Sequence, residues 1–79
     1  MVDANDKSNK FTVEVEDKSV MFSKEIDGRD DPDIFDLTTE LYDSPYVLYN
    51  GEKYKVKDYG ITSSYITSKG VFWIECFKG

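Results

Sequence analysis

Two prolines, Pro32 and Pro45, bracket the one stretch of this chain whose apolar residues recur at helical spacing. Between them Ile34, Leu37, Thr38 and Leu41, with Phe35 and Tyr42 beside them, follow the rhythm of an amphipathic helix. Asp31 is placed to cap its start by accepting hydrogen bonds from free backbone amides. Pro32 suits the first helical position, and Asp33 and Asp36 favour the positive end of the helix dipole. Ser44, preceding Pro45, is pushed out of the α region and ends the segment. The spacing predicts one helix, over about residues 32–43, and every other patterned stretch alternates with a period of two. Such a chain has to bury its helix against a sheet.

The alternating stretches predict the strands. Phe11, Val13 and Val15 alternate with Thr12, Glu14 and Glu16, which predicts a strand over about 10–16. Asp17 to Ser19 reads as a turn into a second strand from Val20 to Ile26, making an antiparallel hairpin. After the helix, Tyr46 to Tyr49 is a short β-prone run. Asn50-Gly51 then supplies a two-residue hairpin turn, because both positions tolerate positive φ. Tyr54 and Val56 alternate with Lys53, Lys55 and Lys57, Gly60 opens a loop, and Ser64 to Thr67 is a short strand. Val71 to Phe77 carries apolar groups on both faces, which predicts a strand at the centre of the sheet with Trp73 and Cys76 in the core. The expected fold is a small α+β domain, a mainly antiparallel sheet of four to six strands in the order β-β-α-β-β-β-β. Residues 1–9 lack periodicity and are expected to fray, leaving 10–79 as a single domain.

Composition narrows the chemistry. At 79 residues the chain is near the lower size limit for independent folding, and its 15% aromatic content supplies the core area that its length does not. A lone cysteine, Cys76, cannot form an internal disulfide, which points to a reducing, cytoplasmic compartment. The polar start of the chain lacks a signal-peptide pattern, and no apolar run has transmembrane length.

The sequence contains no histidine, which removes the commonest general base, the usual activation of serine and cysteine nucleophiles, and mixed cysteine–histidine metal sites. Neither the phosphate-binding loop nor the dinucleotide fingerprint occurs. Asp30, Asp31, Asp33 and Asp36 miss the calcium-loop pattern, lacking its glycine and its closing glutamate. No enzyme activity, cofactor or metal is expected.

Binding surfaces remain. Net charge is −6, and eight acidic residues between Lys24 and Asp43 stand against only Lys24 and Arg29. The expected partner-binding set is Glu25, Asp27, Asp30, Asp31, Asp33, Asp36, Glu40 and Asp43, with Tyr42, Tyr46 and Tyr49 as an aromatic patch beside the acidic belt. A row of carboxylates can imitate the phosphates of nucleic acid and occupy a basic groove on a larger protein. The alternative is a nucleic-acid face of Lys53, Lys55 and Lys57 with Tyr46, Tyr49, Tyr59, Tyr65 and Trp73 near them in sequence. Against it stand the overall negative charge and the ordinary use of lysine as a guard on exposed strands. A structural subunit of a viral or other assembly is a third reading.

In size, acidity and lack of catalytic groups the chain resembles viral early proteins that block a host enzyme, such as inhibitors of RNA polymerase, restriction enzymes or CRISPR effectors. That likeness implies a small inhibitor or adaptor in the host cytoplasm, and it transfers no residue because no motif carries it.

Overall fold

The computed structural model of the chain describes residues 1–5, 11–27, 32–63 and 69–78. The elements run β1 (Val2–Asp3), β2 (Thr12–Val15), β3 (Ser19–Ile26), α1 (Pro32–Asp43), β4 (Tyr46–Tyr49), β5 (Glu52–Ser63) and β6 (Gly70–Phe77). They form one small α+β domain whose sheet has the strand order β1-β4-β5-β6-β3-β2. Every pairing is antiparallel except β1 with β4, which is parallel.

As its two-faced apolar pattern requires, β6 lies inside the sheet, between β5 and β3. Its even-numbered residues Phe72, Ile74 and Cys76 meet Val20 and Phe22 of β3 on the inner face, over which α1 lays Ile34, Leu37 and Leu41. Val2 and Val47 complete that core. Long strand β5 is shared between two neighbours: Glu52 to Lys55 pair with β4, whereas Val56 to Ser63 pair with β6. A bulge between Val56 and Asp58 marks the change of partner, and a bulge adds local twist, so the sheet curls there around the helix. Asn50 and Gly51 turn the β4–β5 hairpin with φ of 51° and 78°, the left-handed pair that a type I′ turn demands.

Several expectations are corrected. The chain does not fray from its first residue, because Val2 pairs with Val47 and is fully buried, and Ala4 donates a backbone hydrogen bond to the Leu48 carbonyl. A single buried valine outweighs the absence of local periodicity. The order is therefore β-β-β-α-β-β-β, with an extra first strand. Gly60 opens no loop: it sits inside β5, opposite Trp73. Trp73 in turn is half-buried on the outer face rather than in the core. The two corrections share one cause, since a methyl group at Gly60 would stand 2.8 Å from Cζ2 of Trp73, so the glycine is where the indole lies across the strand. The strand expected at Ser64 to Thr67 lies outside the described residues.

Candidate functional site

Helix α1 has two unlike flanks. Ile34, Leu37 and Leu41 are at most 6% exposed, while Phe35 and Tyr42 are 74% and 85% exposed. Seven positions separate Phe35 from Tyr42, about two turns, so their backbone positions lie roughly 10.5 Å apart along one line of the helix. Asp36, Glu40 and Asp43, all exposed, run beside them at spacings of four and three. The threonines between do not project as ligands, because Thr38 donates its hydroxyl hydrogen bond to the Ile34 carbonyl at 2.9 Å and Thr39 to that of Phe35 at 2.8 Å.

Among the described residues the fold gains nothing from this flank. Two rings in water forgo the roughly 1.5 to 3 kcal/mol that burial of each would contribute. Glu40 and Asp43 lie at the negative end of the helix dipole with no basic residue in the last turn, and each like-charge pair one turn apart is unfavourable by a few tenths of a kcal/mol.

The expected acidic belt divides in three dimensions. Asp36, Glu40, Asp43 and Tyr42 come together on α1, joined by Phe35, which the sequence reading had left out. Glu25 instead lies on the outer face of the sheet, opposite Val71, and Asp27 is exposed just past the end of β3. Asp30, Asp31 and the side chain of Asp33 lie outside the described residues. Tyr49 is no part of an exposed patch: it packs edge-on against Phe22 in the inner layer, ring centroids 5.6 Å apart. Tyr46 faces the opposite way, on the outer side of β4.

The lysines gather on that outer side. Lys53 sets its ammonium 4.3 Å from the Tyr46 ring centre, and Lys57 lies 6.0 Å from the ring of Phe77 while pairing with Glu75 at 3.3 Å. Tyr46, Lys53, Lys55 and Phe77, with Glu52 and Tyr54, line an open groove of about 330 Å³. Tyr54 donates its phenol hydrogen to Glu52 at 2.9 Å, and that bond to a carboxylate is the main reason its pKa is raised. Of the other aromatics expected here, Tyr59 turns inward against Phe72 at 6.4 Å, Trp73 covers Gly60, and Tyr65 is outside the described residues. Phe77 is the ring the sequence reading missed. Its signal was the strand alternation itself, which sets it on the face opposite Cys76.

Cys76 is fully buried, and burial, with Glu75 adjacent, pushes its thiol up to about 12, which leaves no thiolate for chemistry near neutrality. Among the described residues no cluster of acidic or thiol side chains is arranged to hold a metal ion, and no helix is long and apolar enough to cross a membrane. Comparison of the chain with models of known protein families, with curated proteins and with solved structures finds no match in any of the three.

Proposed function

We propose that this is a non-catalytic binding protein, a small acidic inhibitor or adaptor, and that the exposed flank of α1 is its docking surface. One observation carries the reading: two aromatic side chains, 74% and 85% exposed, stand in register with three carboxylates on a helix whose other side is firmly packed. Rings supply contact area at low entropic cost, and carboxylates steer the approach of a positive surface. The partner this fits is a larger protein with an apolar slot bordered by lysine or arginine. Carboxylates at successive turns of α1 recur about every 5 Å along its axis, which gives roughly two thirds of the axial charge density of one DNA strand, with its phosphate every 3.4 Å. A cleft built for nucleic acid, on a polymerase, nuclease or similar host enzyme, would therefore accept them. The single cysteine accords with work in a reducing cytoplasm.

Direct nucleic-acid binding through the lysine face has less support. One of its three ammonium groups is tied to Glu75, another lies against Tyr46, and the molecule as a whole is negative.

The test uses the wild-type chain and a Phe35→Ala/Tyr42→Ala variant as parallel baits, followed by titration of the purified pair. A partner held by the first should bind the second about 30-fold more weakly, as loss of a 2 kcal/mol anchor implies. Its association rate should fall with added salt. Equal retention by both baits would refute the reading.

A further inference from the structure

The two edges of the sheet are unlike. One is β1, only two residues long; the other is β2, whose residues Thr12 to Val15 pair with β3 on one side and, among the described residues, with nothing on the other. The hairpin fixes which backbone groups are left over. Glu16 donates its amide hydrogen to the Ser19 carbonyl at 2.8 Å, and antiparallel pairs alternate between hydrogen-bonded and open, so Glu14 and Thr12 also turn their amides and carbonyls toward β3. Those of Val13 and Val15 point out from the edge. Natural edges are blunted by proline, by a bulge or by an inward charge. Strand β2 has none of these, since its register with β3 runs unbroken and its inward side chains are valines.

The side chains of β2 define what kind of strand fits there. Val15 stands on the inner face opposite Val20, which is 1% exposed, yet is itself 61% exposed. Val13 and Phe11, on the same face, are only partly buried against the core. On the outer face, Glu14 lies opposite Met21, and Glu16 accepts a hydrogen bond from the Ser19 hydroxyl at 3.4 Å; both carboxylates are exposed. Alternate positions recur about every 7 Å along a strand, which is also the spacing of alternate side chains in any extended segment laid beside it. No cation stands in that outer row: Lys24 reaches over the Phe11 ring on the inner face, 5.9 Å from its centre, and Lys18 lies in the turn next to Asp17.

We propose that the open edge of β2 is a docking site for an extended basic segment of another protein. That segment adds a strand, its apolar residues covering Val13 and Val15 on the inner face and its lysines or arginines, at the positions between, facing Glu14 and Glu16. Its backbone pairs with the outward amides and carbonyls of Val13 and Val15, which supply affinity, while the alternation supplies selectivity. A second copy of β2 is the wrong occupant, because like charges set across a ladder are unfavourable and each chain carries −6. The site shares no residue with the exposed flank of α1 and does not depend on it.

The probe is a short capped peptide in which valine and lysine alternate, added to the full chain at physiological salt, with amide hydrogen exchange read residue by residue. A peptide alternating valine and glutamate is the control. The lysine peptide should slow exchange at Val13 and Val15 by about 10-fold or more, and the glutamate peptide should leave it unchanged. Val15→Pro deletes an outward amide without touching a bond to β3, a change that an edge strand tolerates. This variant should stay folded and bind the lysine peptide about 10-fold more weakly, as loss of a backbone hydrogen bond implies. Glu14→Lys/Glu16→Lys keeps the backbone and should reverse the choice, taking the glutamate peptide over the lysine one. Phe35→Ala/Tyr42→Ala should bind as the wild type does. Equal binding of both peptides, no protection at Val13 and Val15, undiminished binding by Val15→Pro, or a preference that charge reversal does not move would each overturn the proposal. So would protection of Val13 and Val15 in the protein alone that deepens with its own concentration, since the occupant would then be a second copy.

Discussion

Helix α1 and strand β6 both carry apolar groups on two sides, and only β6 finds even partial cover for its outer one, where Phe77 is still 47% exposed. Inside, β6 packs Phe72, Ile74 and Cys76 completely; outside, Trp73 rests on Gly60 and Phe77 lies under the reach of Lys57. On α1 the inner residues are equally well packed, but among the described residues no ring contact is made by Phe35 or Tyr42. The outer rings of β6 are thus partly structural, whereas those of α1 have no such contact among the described residues. Exposure alone does not mark a site, and exposure without a neighbour that would explain it is the sharper sign.

That comparison can be broken in stages. The largest effect is expected at the inner layer, where Phe72→Ala should lower unfolding free energy by about 4 kcal/mol and Leu41→Ala by about 3, read from urea titrations. A Leu41→Ala loss below about 1 kcal/mol would mean that α1 does not hold its inner face as described.

Alkali comes next. Because the folded Cys76 thiol is raised to about 12 from an ordinary 9, it stays protonated in the folded state while the unfolded thiol ionises, so stability is whole below pH 9 and is lost as pH rises toward 12. Between about pH 9 and 11 the advantage of the wild type over Cys76→Ala should shrink by about 1.4 kcal/mol per pH unit. Parallel stability curves for the two proteins would show that the thiol is not sequestered.

Gly60→Ala is expected to cost about 1 to 3 kcal/mol, since the new methyl group must displace the Trp73 ring, and the tryptophan fluorescence should shift with it. An unshifted spectrum with full stability would remove the structural role assigned to the outer ring. The smallest change is expected on the exposed flank: Phe35→Ala and Tyr42→Ala should each alter stability by less than about 0.5 kcal/mol. A loss comparable with that of Leu41→Ala would erase the distinction between α1 and β6.

How far these features were legible depended on the range over which their causes act. The helix announced itself because Pro32, Pro45 and the Ile34–Leu37–Leu41 spacing are all local, and Asn50-Gly51 declared its turn for the same reason. The first strand was invisible because Val2 owes its burial to Val47, a partner with no neighbouring cue. Gly60 read as a break because a glycine in a strand looks like one until the ring that needs the space is known. At the site, the acidic run was plain, but its partition was not. It follows from the strand alternation rather than from nearness in the chain: Tyr46 and Tyr49, three positions apart, take opposite faces, and Glu25 belongs to the strand that ends at Ile26.

The β1–β4 pairing has a further consequence, which concerns time. The β2–β3 and β4–β5 hairpins and α1 can each form from residues close together in the chain. By contrast, Val2 must find Val47, and the backbone amide of Asn50 must donate its hydrogen bond to the Asn5 side-chain oxygen, 3.2 Å away. Closing a long loop is entropically dear, and here the closure is held by a two-residue strand, whereas β3 and β6, comparably far apart in the chain, share eight-residue strands, so the β1 contacts form late and reopen first. The first strand is therefore the latch of the molecule, and its amides should exchange with solvent sooner than those of β6. When that latch lifts, Val47 loses its cover, so the interior is first exposed to water at the β4 margin.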